Sequence, residues 1–182
     1  MTIPRIISFL VLAAVLPAQQ SRREVTNPST NPADDTKPNS NSVPDVSAIS
    51  TQFDRILILR FKYDTDLLAG IEKMVKQERI RNAVFLSGIG SVRGYQIHQV
   101  SNRTLPSKNM FVKDATMPAD VTSVNGYVMD GRVHAHITLA NPDGAFAGHL
   151  EPGTTAFTFV AITVGVLKND VDITRLDDKG YR

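Results

Sequence analysis

The chain has 182 residues, of which 42% are hydrophobic and 21% are charged, and its formal net charge is +2. This length suits one globular domain with extensions, and the near balance of charge argues against a protein that binds nucleic acid through clustered lysines and arginines. Cysteine is absent, which excludes disulfides and a lipid-modified cysteine.

The amino terminus has the outline of a secretory signal peptide, which we assign to residues 1–18. Arg5 precedes an apolar run, residues 6–16, that is too short to cross a membrane as a helix, and Ala18 is a small residue suited to cleavage. Leu16 is larger than the ideal residue at its position, and an uncleaved anchor is the alternative. We expect a mature chain that begins near Gln19, has no transmembrane anchor, and is exported to the periplasm or secreted.

Residues 19–52 are rich in Ser, Thr, Asn, Pro and Asp and contain almost no large apolar side chains. A segment of this kind cannot bury enough surface to order itself. We therefore predict a disordered polar linker between the signal peptide and a domain that spans residues 53–167.

The domain opens with a strand, a helix and a second strand. Residues 55–61 form an apolar run of strand length, and Asp64 or Thr65 can cap a helix whose apolar residues recur at helical spacing from 67 to 75. The helix should end between residues 78 and 80. Residues 82–87 then have the composition of a buried strand.

Three glycines follow this strand, at positions 88, 90 and 94. A dinucleotide-binding loop would need a helix directly after the glycines, whereas residues 95–100 alternate like a strand. The glycines therefore favour a tight crossover or a close backbone approach that could line a pocket.

The rest of the domain is rich in strands. Asp130-Gly131 predicts a hairpin between residues 121–129 and the next strand, and residues 141–144 predict a second turn. Residues 154–167 form a long apolar strand. The pattern predicts an α+β fold with a mostly antiparallel sheet of about seven strands and one main helix. Residues 168–182 should be a polar, peripheral carboxyl-terminal tail.

Three of the four histidines carry the main functional signal. His134 and His136 are two apart on a predicted strand and so share a face, and His149 returns on the next strand. Such a set can hold a divalent metal, for which zinc is the expected ion, with one position open. The alternative is a solvated polar strand face with a loop histidine. His98, with no second histidine in register, is interpreted as structural or exposed.

Several segments together resemble the PPC domain (plants and prokaryotes conserved), also known as the PD1-like DNA-binding protein family, in its bacterial single-domain type. The match covers residues 55–167 in order. Its segments are residues 55–78, Phe85-Leu86-Ser87-Gly88-Ile89-Gly90-Ser91-Val92, Gly131-Arg132-Val133-His134-Ala135-His136, Asn141-Pro142-Asp143-Gly144 and Gly148-His149-Leu150-Glu151-Pro152-Gly153.

The resemblance implies an α+β fold, assembly as a homotrimer, and a metal held by His134, His136 and His149. Ala147 departs from the family, which usually has glycine there, so its methyl group could narrow the site. The minor-groove-binding hooks of the plant members are absent from the sequence, so DNA binding does not carry over.

Three functions remain open. The first is an exported trimer that binds a metal and a small-molecule ligand at the open site. The second is a metal-dependent hydrolase-type enzyme in which Glu151, Asp143 or His98 acts as acid or base, although Glu151 could equally serve the following turn. The third is a DNA-binding or scaffolding protein, which export argues against. No catalytic residue is assigned.

Overall fold

The computed structural model describes residues 23–28 and 41–177. In chain order the elements are β1 (Glu24–Thr26), β2 (Phe53–Phe61), α1 (Leu67–Gln77), β3 (Ala83–Val100), β4 (Asn109–Asp114), β5 (Ala119–Met129), β6 (Arg132–Asn141), β7 (Gly144–Leu150), β8 (Thr155–Leu167) and a short 3₁₀ turn (Thr174–Asp177). The predicted signal peptide, residues 1–18, lies outside the described residues.

Strand β3 is the hub of the sheet. Its first half pairs with β5 and β8, and its second half pairs with β4 and β7, all antiparallel. Strand β2 extends the sheet beside β8, and the β5–β6–β7 meander returns to β3. The predicted α+β fold with a mostly antiparallel sheet is confirmed, with eight strands and one α-helix in the described part of the chain.

One strand lies within the predicted linker. Glu24–Thr26 pairs antiparallel with β4, with Val25 opposite Val112. All three residues of β1 are exposed, so the backbone bonds of the ladder hold the strand to the edge of β4 without a buried side chain. Polar composition alone does not reveal such pairing, because the partner is about ninety residues away in the sequence.

The glycines of β3 do not end the strand. Gly90 has φ +134°, and a Cβ there would lie 2.1 Å from the carbonyl oxygen of Phe159 on β8. The predicted close backbone approach is confirmed, but the predicted division into two strands is wrong, because the chain continues through the glycines as one strand of 18 residues.

Helix α1 begins one or two residues later than expected. Its N-cap is Asp66, whose side chain accepts a hydrogen bond from the backbone N–H of Ala69 at 2.9 Å. The helix buries Leu67, Ile71 and Val75 against the inner face of the sheet, within the main hydrophobic core. With eleven residues, α1 is too short to span a membrane, and no other helix in the described ranges does so.

The segment after β8 packs more closely than its polar composition predicts. Ile173 is 3% exposed and forms a second small core with Met129 and Leu167 on the outer face of the sheet. The Asn82 side chain also donates a hydrogen bond to the carbonyl of Val171 at 2.9 Å. Ile173 is therefore part of the packed structure, because it covers apolar side chains on the outer face, whereas Asp172, Thr174, Arg175 and Leu176 around it are exposed.

Candidate metal centre

Strand β6 presents histidines on one face and core residues on the other. Ala135 and Ile137 are almost completely buried, whereas His134 lies opposite Tyr127 and His136 lies opposite Asn125 on β5. The preceding turn has positive φ at Asp130 (49°) and at Gly131 (79°), as the tightest hairpins require. This turn fixes the register between β5 and β6, and that register places both histidines on the outer face of the sheet.

The imidazoles of His134 and His136 are close enough to share an ion. Their rings are stacked at 13°, and the two Nε2 atoms are 3.3 Å apart. Two nitrogens bound to tetrahedral zinc at about 2.0–2.1 Å would lie about 3.3–3.4 Å apart. The spacing of this pair fits a zinc ion without rearrangement of the strand.

His149 joins this pair from β7, where it lies directly opposite His136. Its ring centroid is 4.9 Å from that of His134 and 5.4 Å from that of His136. Its Nδ1 lies 3.1 Å from the carbonyl oxygen of Leu150. Because a carbonyl only accepts, Nδ1 carries the hydrogen and the Nε2 lone pair is available to a metal.

The expectation that His98 has no second histidine in register is wrong. Strand β3 pairs with β7, so that His98 lies opposite His149, and the two rings are stacked with centroids 4.5 Å apart. Gly148 permits this approach, since a Cβ there would lie 2.6 Å from the carbonyl oxygen of His98. In the sequence, Gly148 was the one sign that the backbones at His98 and His149 approach each other closely.

Glu151 lies at the cluster formed by His98, His134, His136 and His149, and its side chain contacts two of these rings. One carboxylate oxygen is 2.6 Å from Nδ1 of His98 and 3.3 Å from Nδ1 of His149. One ligand atom from each of these three side chains lies within 4.8 Å of the others, so His98, His149 and Glu151 could hold a metal. From the sequence, Glu151 could be either an acid or base or a residue of the following turn. The structure places its side chain beside the histidines.

The environment lowers the pKa of two of the histidines. For His136 the causes are desolvation of its ring and then the neighbouring His134 and His98. The pKa of His149 is lowered by burial and by the other three histidines, against the opposing effect of Glu151. Both shifts favour the neutral imidazole, which is the form that ligates a metal.

Asp143 and Ala147, which the sequence analysis also singled out, differ in their distance from the histidines. Asp143 sits in the β6–β7 turn, where it lines a separate cavity with Tyr95 and Asp114. Ala147 is exposed, and its carbonyl accepts a hydrogen bond from the Gln99 side chain. The Asp143 carboxylate is therefore not among the side chains that could hold a metal, whereas Ala147 lies two residues before His149 on the same face of β7.

The family model of the Plants and Prokaryotes Conserved (PCC) domain matches residues 48–168, most of the chain. The chain belongs to this family. The matched residues contain the whole of β2 to β8 and therefore all four histidines and Glu151 of this PCC domain. No curated protein matches the chain significantly in sequence.

Solved structures share the fold. A Pyrococcus horikoshii plant- and prokaryote-conserved protein is 26% identical with a TM-score of 0.56, and the alignment covers 69% of this chain and 87% of that one. A metal-containing protein from Archaeoglobus fulgidus is 23% identical with a TM-score of 0.57, covering 68% and 86%. A hypothetical protein from Salmonella enterica is 22% identical with a TM-score of 0.54, covering 66% and 81%.

Proposed function

We propose that this PCC-domain protein binds zinc through His134, His136 and His149 and binds a small-molecule ligand at the remaining coordination position. The single observation that carries the proposal is the 3.3 Å separation of the Nε2 atoms of His134 and His136. The tautomer of His149 supports it, since the Leu150 carbonyl leaves Nε2 free to ligate. The Archaeoglobus fulgidus neighbour, a metal-containing protein of the same fold, adds support.

In this proposal His98 and Glu151 support the ligands. The separation of 2.6 Å between Nδ1 of His98 and the Glu151 carboxylate is that of a charge-assisted hydrogen bond, which would fix the orientation of both side chains. The Glu151 carboxylate also lies beside Nδ1 of His149, where it stabilises the tautomer that ligates. Zinc would act there as a Lewis acid toward its ligand or toward water.

Zinc titration of the metal-free protein without a histidine tag tests the proposal. Replacing His136 by alanine should lower zinc affinity by more than about a hundredfold, which exceeds the usual loss for a supporting group. Thr138→Ala, at the next position on the same strand face, is the matched control and should bind as the wild type does. If His136→Ala kept full affinity while His98→Ala abolished binding, the ligands would instead be His98, His149 and Glu151.

We propose further that the protein assembles as a homotrimer. An exposed apolar surface supports this: Ile58 lies opposite Thr163, and Ile89 lies opposite Ala161, on the outer face of β2, β8 and β3. Phe159 on β8 is also exposed. Surfaces of this kind mark association sites in folded proteins. Light scattering at micromolar concentration should give three times the chain mass, and a monomeric mass would contradict assembly.

Export remains part of the proposed function, supported by the apolar run of residues 6–16 after Arg5. Amino-terminal sequencing of protein from a native-type host should find a mature chain that begins near Gln19. A soluble cytoplasmic product that retains Met1 would contradict export.

A further inference from the structure

A cavity of about 270 Å³ lies between β3, β4 and the β6–β7 turn. Tyr95 and Phe146 form an aromatic wall, with ring centroids 4.7 Å apart. Asp114, which is 1% exposed, supplies a carboxylate that accepts hydrogen bonds from the backbone N–H groups of Thr116 at 2.9 Å and Met117 at 3.0 Å. A buried carboxylate in the wall of a cavity favours a neighbour that carries positive charge.

The amino-terminal segment supplies such a charge. Arg23 directly precedes β1 and lines the same cavity. The pKa of Tyr95 is raised by burial and then by Asp114, whereas Arg23 has the opposite effect, so both charges lie near the Tyr95 hydroxyl. Residues 23–26 precede residues 48–168, which match the family. The positive charge therefore comes from outside the PCC domain.

The register of β1 on β4 is complementary in charge and in polarity. Glu24 lies opposite Lys113, and Val25 lies opposite Val112. Opposite charges at directly opposed positions stabilise a pair of strands, and so do pairs of β-branched apolar side chains. The free edge of β4 is therefore matched to an extended segment in which an arginine, an acidic residue and an apolar residue follow one another.

The pairing holds β1 only weakly to its own chain. It comprises three residue pairs, and all three residues of β1 remain exposed. A strand that buries no side chain opens readily. The 26 residues between Thr26 and Phe53 can span at most about 90 Å, whereas a domain of this size is about 35 Å across. In an assembly, β1 can therefore reach the β4 edge of a neighbouring copy.

We propose that β1 exchanges between copies of this chain, so that β1 of one copy pairs with β4 of the next and its Arg23 completes the cavity there. The exchanged contacts are the same as those within one chain, and exchange of an identical element is a low-cost route to association. Exchange within a trimer rests on the proposed assembly, whereas the β4 edge and the cavity need neither a metal nor a trimer.

Engineered cysteines test the exchange, because the chain contains no cysteine of its own. Glu24→Cys and Lys113→Cys place thiols at directly opposed, exposed positions. Co-expression of the two single variants of the full chain, followed by a short bifunctional thiol reagent, should give a covalent two-chain species that contains both variants. Val46→Cys in place of Glu24→Cys is the matched control, because Val46 is 86% exposed and lies between β1 and β2. It should give little of this species.

A charge reversal tests the role of the arginine. Arg23→Glu, added to the Glu24→Cys chain, should lower the yield of the two-chain species by about tenfold, because a carboxylate there would repel Asp114. Lys62→Glu changes an exposed lysine that does not line the cavity, and it should leave the yield unchanged. Equal yields in these two variants would overturn the inference.

Light scattering on the same samples separates the exchange from the proposed trimer. A two-chain species in a protein of trimeric mass supports both. A trimeric mass without that species, while the double variant Glu24→Cys/Lys113→Cys links within one chain, would show that β1 stays on its own chain and would overturn the exchange. Absence of any link in the double variant would overturn it as well. A dimeric mass with the two-chain species would leave the exchange standing and contradict the trimer.

Discussion

The two faces of β6 perform different tasks within one strand. Ala135, Ile137 and Leu139 are at most 1% exposed and belong to the main core, whereas His134 and His136 face outward beside each other. Because alternate residues point to opposite sides, the strand can be changed on one face with little effect on the other. The difference implies that stability and metal binding are separable by single substitutions.

The largest expected effect lies on the inner face. Ile137→Ala removes a completely buried side chain and should lower the free energy of unfolding by about 2–5 kcal/mol, from lost burial and the cavity left behind. Urea denaturation of the metal-free protein measures it. His136→Ala, on the exposed face, is the control and should change stability by no more than about 0.5 kcal/mol. Equal losses in both variants would show that the faces are not separable.

A smaller effect, on zinc affinity, is expected from Glu151 and His98, which orient the proposed ligands on the outer face. Glu151→Gln weakens the bond to Nδ1 of His98 and should lower zinc affinity about tenfold to a hundredfold. Since His98 stacks on His149 and holds this carboxylate, His98→Ala should also weaken zinc binding, although the sequence alone indicated a structural or exposed residue. Zinc titration measures both. Asp143→Asn, a carboxylate in the β6–β7 turn, is the control and should have no effect.

The smallest effect is a pH dependence of stability. The pKa values of His136 and His149 are lowered in the folded protein, so at pH values just below their ordinary pKa of about 6.5 the unfolded chain binds more protons. Stability of the metal-free protein should therefore be complete above that pH and decrease as pH falls through it. Thermal unfolding between pH 8 and pH 5, about the range of histidine titration, measures this. Double replacement of His136 and His149 by alanine should flatten the profile.

Local patterns predicted one half of the candidate centre, but not the other. The pairing of His134 with His136 follows from alternation along a strand, and the return of His149 follows from the turn at residues 141–144. His98 was misread because its neighbour is about fifty residues away in the sequence, across the pairing of β3 with β7. Likewise Glu151 was identified as a candidate only by its position two residues after His149.

The sequence by itself determined the alternation of β6, the hairpin turn at Asp130-Gly131 and the α+β class, because these depend on contacts between near neighbours. Only the tertiary structure decided that β3 runs unbroken through its glycines, that Ile173 is buried, and that His98 and Glu151 meet His149. Those features depend on which distant strands pair, and backbone hydrogen bonds are the same for every candidate partner. Which strands pair is decided by the packing of the whole core, in which Gly148 and Gly90 leave the space that closely spaced strands require.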